Sequence, residues 1–233
     1  MMSGGRLLRT YRNGQAKLNG YLEDYAYVIE GLLALYELTF DIRYYNQAIA
    51  LSDTMFSQFW DDSDTGFFFT SKDHEYLITR TKDYFDNATP SGNSVAALAL
   101  LKLWILTEEN KYRQHALAIL RTMHQSMARY PSAFGYLLCA LDAYLSEPKE
   151  IVLVGRANSQ EVRSFVKEIY AHFLPNKVLA LAESNDQSAT SPIRLLKDKP
   201  AVNNQATVYV CHNYTCQAPV TSSQELAAQL ERD

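Results

Sequence analysis

Residues 32–55 read LLALYELTFDIRYYNQAIALSDTM and residues 100–123 read LLKLWILTEENKYRQHALAILRTM. Leu32, Leu33, Leu35, Leu38, Thr39, Tyr44, Ala48, Thr54 and Met55 fall on Leu100, Leu101, Leu103, Leu106, Thr107, Tyr112, Ala116, Thr122 and Met123, at a constant offset of 68 and without a gap. Self-similarity at a fixed period signals stacked supersecondary units. In the first copy Ile29, Leu32, Leu33, Tyr36 and Phe40 form a stripe at helical spacing, and Tyr45, Ala48, Ser52, Phe56 and Phe59 form a second. The connection around Phe40-Asp41 is short, so the two helices are expected to run antiparallel. In the second copy Ala97, Leu101, Trp104 and Ile105 pair with Tyr112, Ala116, Ile119, Met123 and Met127.

Working outward, a further helix is expected over Ala133–Tyr144, where Pro131-Ser132-Ala133 echoes Pro90-Ser91-Gly92. Pro148 ends it, because proline lacks the amide that would continue the ladder. The long link from Trp60 to Pro90 carries Gly66-Phe67-Phe68-Phe69, which reads as a short strand or hairpin edge. The repeat offset sets Glu23-Asp24-Tyr25-Ala26 opposite Ser91-Gly92-Asn93-Ser94, each just before an inner helix. Both are expected to face one mouth, where unpaired helix-start amides favour anionic or hydroxyl-bearing ligands.

After Pro148 the pattern changes. Ile151–Val154 reads as a buried strand, Gly155 as a turn, Gln160–Ala171 as a helix, and Lys177–Leu181 and Ala206–Val210 as two more strands. Ser222-Ser223-Gln224-Glu225 fits a capping box opening a last helix. The order β-α-β-β-α implies a small, mainly parallel α/β subdomain, with the polar stretch 183–204 as a loop. The expected organisation is a helical-hairpin region over residues 1–148 and an α/β subdomain over 149–233.

Composition narrows the function classes. A net charge of −4 with interspersed signs gives no basic footprint for nucleic acid, and no run of 18 apolar residues suggests a membrane span. The N-terminus lacks an apolar stretch with a small-residue cleavage site, so secretion is not indicated. Three cysteines are too few and too unevenly placed for a disulfide framework, which fits a cytoplasmic setting. Sixteen tyrosines and ten phenylalanines suit aromatic helix packing, with sugar stacking as the sharper alternative.

Several motifs then match one family. They are Leu22-Glu23-Asp24-Tyr25-Ala26, Arg80-Thr81-Lys82-Asp83 with Asp86-Asn87-Ala88-Thr89-Pro90-Ser91-Gly92-Asn93-Ser94, and Val210-Cys211-His212-Asn213-Tyr214-Thr215-Cys216 with Pro219-Val220. Together they resemble the C-terminal part of the thioredoxin-domain-containing YyaL or spermatogenesis-associated-protein-20 family. The resemblance covers nearly the whole chain after about residue 15, and the Pro-Ser-Gly-Asn-Ser run is its most specific piece. It implies a thioredoxin-like domain followed by an (α/α)6 toroid of the six-hairpin glycosidase type, similar to that of N-acylglucosamine 2-epimerases. The fold expected of this chain is therefore mainly α, a partial (α/α)6 toroid with a small C-terminal α/β subdomain. Five helices cannot close a twelve-helix ring. The sequence is thus expected to be a fragment, a truncated product, or a chain that completes itself as a homo-oligomer or with the missing toroid half. Its apolar flank around Ile29, Leu33 and Tyr36 is expected to be exposed.

Asp24 and Asp86, one at each equivalent mouth position, are the candidate catalytic carboxylates. Two carboxylates across a pocket can supply the acid and base of glycoside cleavage; the plainer role is helix capping. Tyr25, Arg80, Asp83, Ser91, Asn93 and His74 are the candidate substrate-binding residues. Arg80 suits a carboxylate or phosphate clamp, or a pairing with Asp83 or Asp86, which weighs more. Tyr25, Ser91 and Asn93 suit hydroxyl recognition, with Ser91 or Ser94 alternatively an N-cap. His74 is the one histidine in the mouth-side link, whereas His115 and His124 lie on a partner helix. None of the five histidines sits in an epimerase-like motif.

No cofactor or metal is expected. Cys211 and Cys216 are separated by four residues, not two, and only His212 is near as a further ligand. Asp61-Asp62-Ser63-Asp64-Thr65-Gly66 resembles a calcium loop but has Lys72 where the bidentate glutamate belongs. Gly155 alone gives no dinucleotide fingerprint. The function expected is carbohydrate-related: sugar binding, or isomerase, epimerase or glycosidase-like chemistry, with a small carbohydrate as ligand. A non-catalytic interaction or scaffold module is the alternative, and neither nucleic acid nor membrane is an expected partner.

Overall fold

The computed structural model describes residues 1–74, 78–183, 191–213 and 215–231. It forms two compact units, one of Met1–Leu103 with Asn110–Asp142 and the other of Trp104–Glu109 with Ala143–Asp233. The protein is mainly α-helical with a small C-terminal α/β part. Before the α/β part the described residues form the helices α1 (Leu22–Thr39), α2 (Ile42–Phe59), α3 (Gly92–Thr107), α4 (Asn110–Arg129) and α5 (Gly135–Leu145).

The repeat is visible in the backbone. Phe40 after α1 and Glu108 after α3, equivalent at offset 68, both adopt left-handed φ values, 57° and 59°. Each donates its N–H over 2.7 Å to the carbonyl four residues back, Tyr36 and Trp104, which are themselves equivalent. The repeated Thr39 and Thr107 hydroxyls accept from the N–H of Asp41 and Glu109. Such αL caps stop a helix and satisfy its last carbonyls, so the same local sequence stops the same helix twice. The two copies meet through their second helices, where Phe56 of α2 packs on Tyr112 and His115 of α4 and Ser52 Oγ lies 3.3 Å from Tyr112 Oη.

The α1 face is the reverse of the one expected. Ile29, Leu33 and Tyr36 are at most 1% exposed, and they lie in the core with Leu22, Tyr25 and Ala26. The face left open carries Tyr27, Val28, Gly31, Ala34, Leu35 and Leu38, which bear no charge.

Three strands precede α1 that the helical reading passed over: β1 (Met2–Ser3), β2 (Arg6–Arg12) and β3 (Gln15–Asn19), an antiparallel meander. Their signal was present as Asn13-Gly14, both at positive φ, the pair a two-residue hairpin turn requires. Gly66–Phe69, expected as a strand edge, forms a single antiparallel bridge between Phe67 and Trp60.

The α/β unit contains β4 (Lys149–Val154), α6 (Gln160–Ala171), β5 (Lys177–Ala182), β6 (Thr207–His212), β7 (Thr215–Cys216) and α7 (Ser223–Leu230). Its sheet order is β5-β4-β6-β7. Among the described strands of this sheet β4 and β5 are parallel, whereas β6 runs antiparallel to both β4 and β7. The expected mainly parallel sheet is therefore mixed, because β6 starts at the end of the sheet where β4 and β5 finish, which makes it run back against them. The expected polar loop falls partly on 184–190, outside the described residues; from 191 on it contains two single 3-10 turns, Arg194–Leu196 and Val202–Asn204. Ser159 and Ser222 cap α6 and α7 by accepting from the N–H of Val162 and Glu225.

The cysteine reading also needs correction. Cys211 and Cys216 are register partners on β6 and β7, and their sulfurs are bonded. Four intervening residues allow one tight hairpin, which brings side chains on adjacent strands within bonding reach even though the spacing fits no multi-disulfide framework.

Candidate functional site

The two helix starts that the repeat sets opposite each other do meet. A Cβ built at Gly92 would lie 2.8 Å from Leu22 Cγ and 3.1 Å from the Glu23 amide nitrogen, so glycine is what lets the start of α3 touch the start of α1. The polar residues gathered there are engaged with the chain itself.

Asp24, in the first turn of α1, accepts the Tyr21 N–H at 2.8 Å and lies 3.7 Å from the Arg9 guanidinium. Asp86 does more. Its Oδ1 accepts the Ser91 N–H at 2.8 Å, and its Oδ2 accepts the N–H groups of Tyr136 and Leu137 at 2.8 and 3.2 Å. Ser91 is in turn the cap of α3, its Oγ accepting the Ser94 N–H at 3.1 Å. One carboxylate therefore fixes the entry of α3 and satisfies two of the first amides of α5, which a helix cannot satisfy internally.

Asn93 is fully buried and tethers the long link. Its Oδ1 accepts the Phe67 N–H, and its Nδ2 donates to the carbonyls of Phe67 and Asp83. The Asp83 carboxylate accepts the Phe85 N–H. Tyr25 is also fully buried, and its hydroxyl accepts from the Leu7 N–H at 3.0 Å and from Arg6 Nε at 3.2 Å, fastening the N-terminal meander to α1. His74 stacks beside Tyr21 with ring centroids 5.4 Å apart.

Arg80 pairs with neither Asp83 nor Asp86. Its guanidinium donates to the carbonyls of Thr70 and Gln58 and lies 4.0 Å above the Phe68 ring. Burial lowers its pKa. The neighbouring Lys82 ammonium lies 2.8 Å from Asp61 and 3.0 Å from Asp64, in the loop that resembles a calcium site. The hydrogen bond from Lys82, with two from Ser63, holds the Asp61 carboxyl well below the usual range. A side-chain cation thus occupies the centre of that loop. Among the described residues no three His, Cys, Asp or Glu side chains group to hold a metal ion.

A second cluster escaped the sequence reading. The Tyr136 hydroxyl, at the start of α5, donates to the Glu30 carboxylate on α1 across 106 residues of sequence. Burial first, and then Glu30, raise the Tyr136 pKa far above the ordinary tyrosine value, so the phenol is a fixed donor at neutral pH. Tyr27, one helical turn before Glu30, donates to the Pro90 carbonyl at 2.9 Å, and its pKa is also raised by burial. Electrostatic coupling links Tyr27 to Asp86 and Glu30, and Tyr136 to Glu30, Tyr27 and Cys139. Phe85, beside Asp86, is 54% exposed and packs on Phe134 at 5.1 Å. This is a patch of one carboxylate, two tyrosines and an open aromatic face. Its sequence signal was weak, because Glu30 and Tyr136 belong to different repeats.

No protein-family model matches the chain. Human spermatogenesis-associated protein 20 is 34% identical over 235 residues, covering 97% of the chain, and the mouse protein of that name is 33% identical over 241 residues, covering 99%. The chain belongs to the spermatogenesis-associated protein 20 family. It spans 30% of the length of each of these relatives. An uncharacterized protein of Caenorhabditis elegans is 27% identical over 91% of the chain.

In this member of the family the motifs from Leu22 to Ala26 and from Asp86 to Ser94 set the backbone at the two helix starts. Beside those starts Glu30 and Tyr136 stay partly exposed, and Tyr27 and Phe85 are exposed.

Proposed function

We propose that the helical unit binds a carbohydrate at the Glu30–Tyr136 patch, and that Asp86 builds this patch without contacting the ligand. The supporting observation is the pairing of a partly buried carboxylate with a phenol whose pKa burial raises, beside exposed aromatic rings. Sugar hydroxyls both donate and accept, so a carboxylate acceptor and a phenolic donor meet both needs, while aromatic faces cover the apolar C–H face. Isomerase, epimerase or glycosidase-like turnover belongs to the same proposal, with Glu30 as the group able to exchange a proton. Titration calorimetry with a panel of mono- and disaccharides and sugar phosphates tests it. Glu30→Gln and Tyr27→Ala should abolish a heat seen with wild type while leaving the unfolding midpoint within a few degrees. Heat unchanged in both variants would sink the reading.

A second reading, as an interaction module, draws on the uncharged face of α1. Tyr27, Val28, Leu35 and Leu38 are 37%, 39%, 42% and 61% exposed on one side of an 18-residue helix. We place self-association, or association with the further segments that the longer relatives contain, on that face. Sedimentation of wild type and Leu35→Glu separates the cases: a dimer that dissociates in the variant supports it, and an unaltered monomer refutes self-association.

Among the described residues no helix is long and apolar enough to cross a membrane. A cytoplasmic setting belongs to the same proposal. It requires Cys211 and Cys216 to be recovered as thiols from cells lysed under alkylating conditions, and recovery of the bonded form would place the protein in an oxidising compartment.

A further inference from the structure

The α/β unit has a crevice at the carboxyl end of β4. From β4 the chain crosses through α6 to β5 on one side, and β6 lies on the other. The carboxyl ends of β4 and β5 and the amino end of β6 therefore lie together at one end of the sheet. A cavity of about 720 Å³ opens there, lined among others by Gly155, Arg156, Ser159, Glu183, Asn204 and Thr221. That volume is within the range of small-molecule sites.

The floor is built for close approach. Gly155 follows β4 with φ 150°, and a Cβ there would lie 3.1 Å from Val162 Cγ2 and 3.2 Å from Ala206 Cβ. The walls are braced on both sides. Glu183, just after β5, accepts the Ala157 N–H at 3.3 Å and so ties the ends of the two parallel strands. On the β6 side, Thr207 Oγ1 accepts the Val202 N–H and donates to the Gln205 carbonyl, and Tyr209 donates to the Pro200 carbonyl. Asn203 and Asn204 are held consecutively in left-handed conformations, φ 50° and 56°, which that bracing sustains.

The charge of the lining selects the ligand. The lining carries one guanidinium, Arg156, and two carboxylates, Glu161 and Glu183, among amide and hydroxyl groups. Polyanions such as nucleotides would meet two like charges. A group carrying separated positive and negative ends satisfies both signs at once. The turn from Gly155 to Ser159 contains no cysteine, so thiol exchange is not its chemistry.

We propose that this crevice binds a small zwitterion, a free amino acid or short unblocked peptide. Its carboxylate rests on Arg156 and its ammonium between Glu161 and Glu183. This is independent of the carbohydrate patch, which lies in the helical unit.

The test is an amide-resolved NMR titration of the full chain with a pool of unblocked alanine di- and tripeptides, and with the same pool acetylated and amidated. The unblocked pool, in the low-millimolar range, should shift the amides of Gly155, Ala157, Ser159 and Thr221, and the blocked pool should not. Arg156→Gln and Glu161→Gln, both at exposed positions that leave the fold intact, should each weaken the response about tenfold, the factor expected for loss of one charge-assisted contact. No shift at these amides, equal shifts with the blocked pool, or full responses in both variants would each overturn the proposal.

Discussion

Replacing Asp86 with alanine removes three acceptor contacts at once, to the N–H groups of Ser91, Tyr136 and Leu137. Those amides belong to two helix starts, and losing a capping carboxylate costs about 1 kcal/mol per helix. An amide left without a partner in a half-buried setting adds about 1–2 kcal/mol. The expected loss is therefore about 2–4 kcal/mol, or roughly 6–12 °C in melting temperature for a chain of this size. Asp86→Asn keeps one acceptor oxygen and should fall between wild type and alanine. Urea unfolding followed by circular dichroism gives the magnitude, and hydrogen exchange gives the place: the Ser91, Tyr136 and Leu137 amides should lose protection before the rest of α3 and α5. Because Asp86 builds the Glu30–Tyr136 patch, sugar binding should weaken with stability in this variant, whereas Glu30→Gln should lose binding alone. A loss under about 0.5 kcal/mol with unchanged protection at those amides would refute the positional role.

Acid should release the N-terminal meander early. The Arg6 guanidinium holds the Asp73 pKa down to about 2, so this ion pair stabilises the fold fully above about pH 4 and is lost as pH falls through about 2. Amide exchange of residues 6–12 should accelerate across that window in wild type and already at neutral pH in Asp73→Asn. At the alkaline end the sign is opposite: the folded chain holds the Tyr136 proton to higher pH than the unfolded chain. Its contribution is complete below about pH 10 and declines above it, and Tyr136→Phe should flatten that decline in an alkaline urea series. Gly66→Ala should cost about 2 kcal/mol or more, since Gly66 has φ 104° and a Cβ there would fall 2.0 Å from the Tyr84 hydroxyl. Gly66→Ala combined with Tyr84→Phe should recover only part of that loss, because the backbone strain remains.

The helices and their stops were legible in the sequence because what makes them is local. The stripes at helical spacing, the Thr39 and Thr107 hydroxyls and the equivalent Phe40 and Glu108 caps act within four residues, so the offset of 68 copies structure along with sequence. The meeting of the two helix starts followed from that same repeat. The meander was also marked, by Asn13-Gly14, but its exposed, polar strands lack the apolar alternation that would have made the signal strong.

What the polar residues at the mouth do was decided only by tertiary structure. Asp86 joins amides 50 residues away, Asn93 reaches 26 residues to Phe67, and Glu30 meets Tyr136 across 106. No local pattern distinguishes an aspartate that caps a distant helix from one that faces solvent, because the two differ only in which unpaired amides the folded chain brings near. Strand direction was hidden for a related reason. A period of two fits parallel and antiparallel pairing equally, so β6 could be recognised as a buried strand from its residues, while its antiparallel run beside β4 had to await the path of the chain.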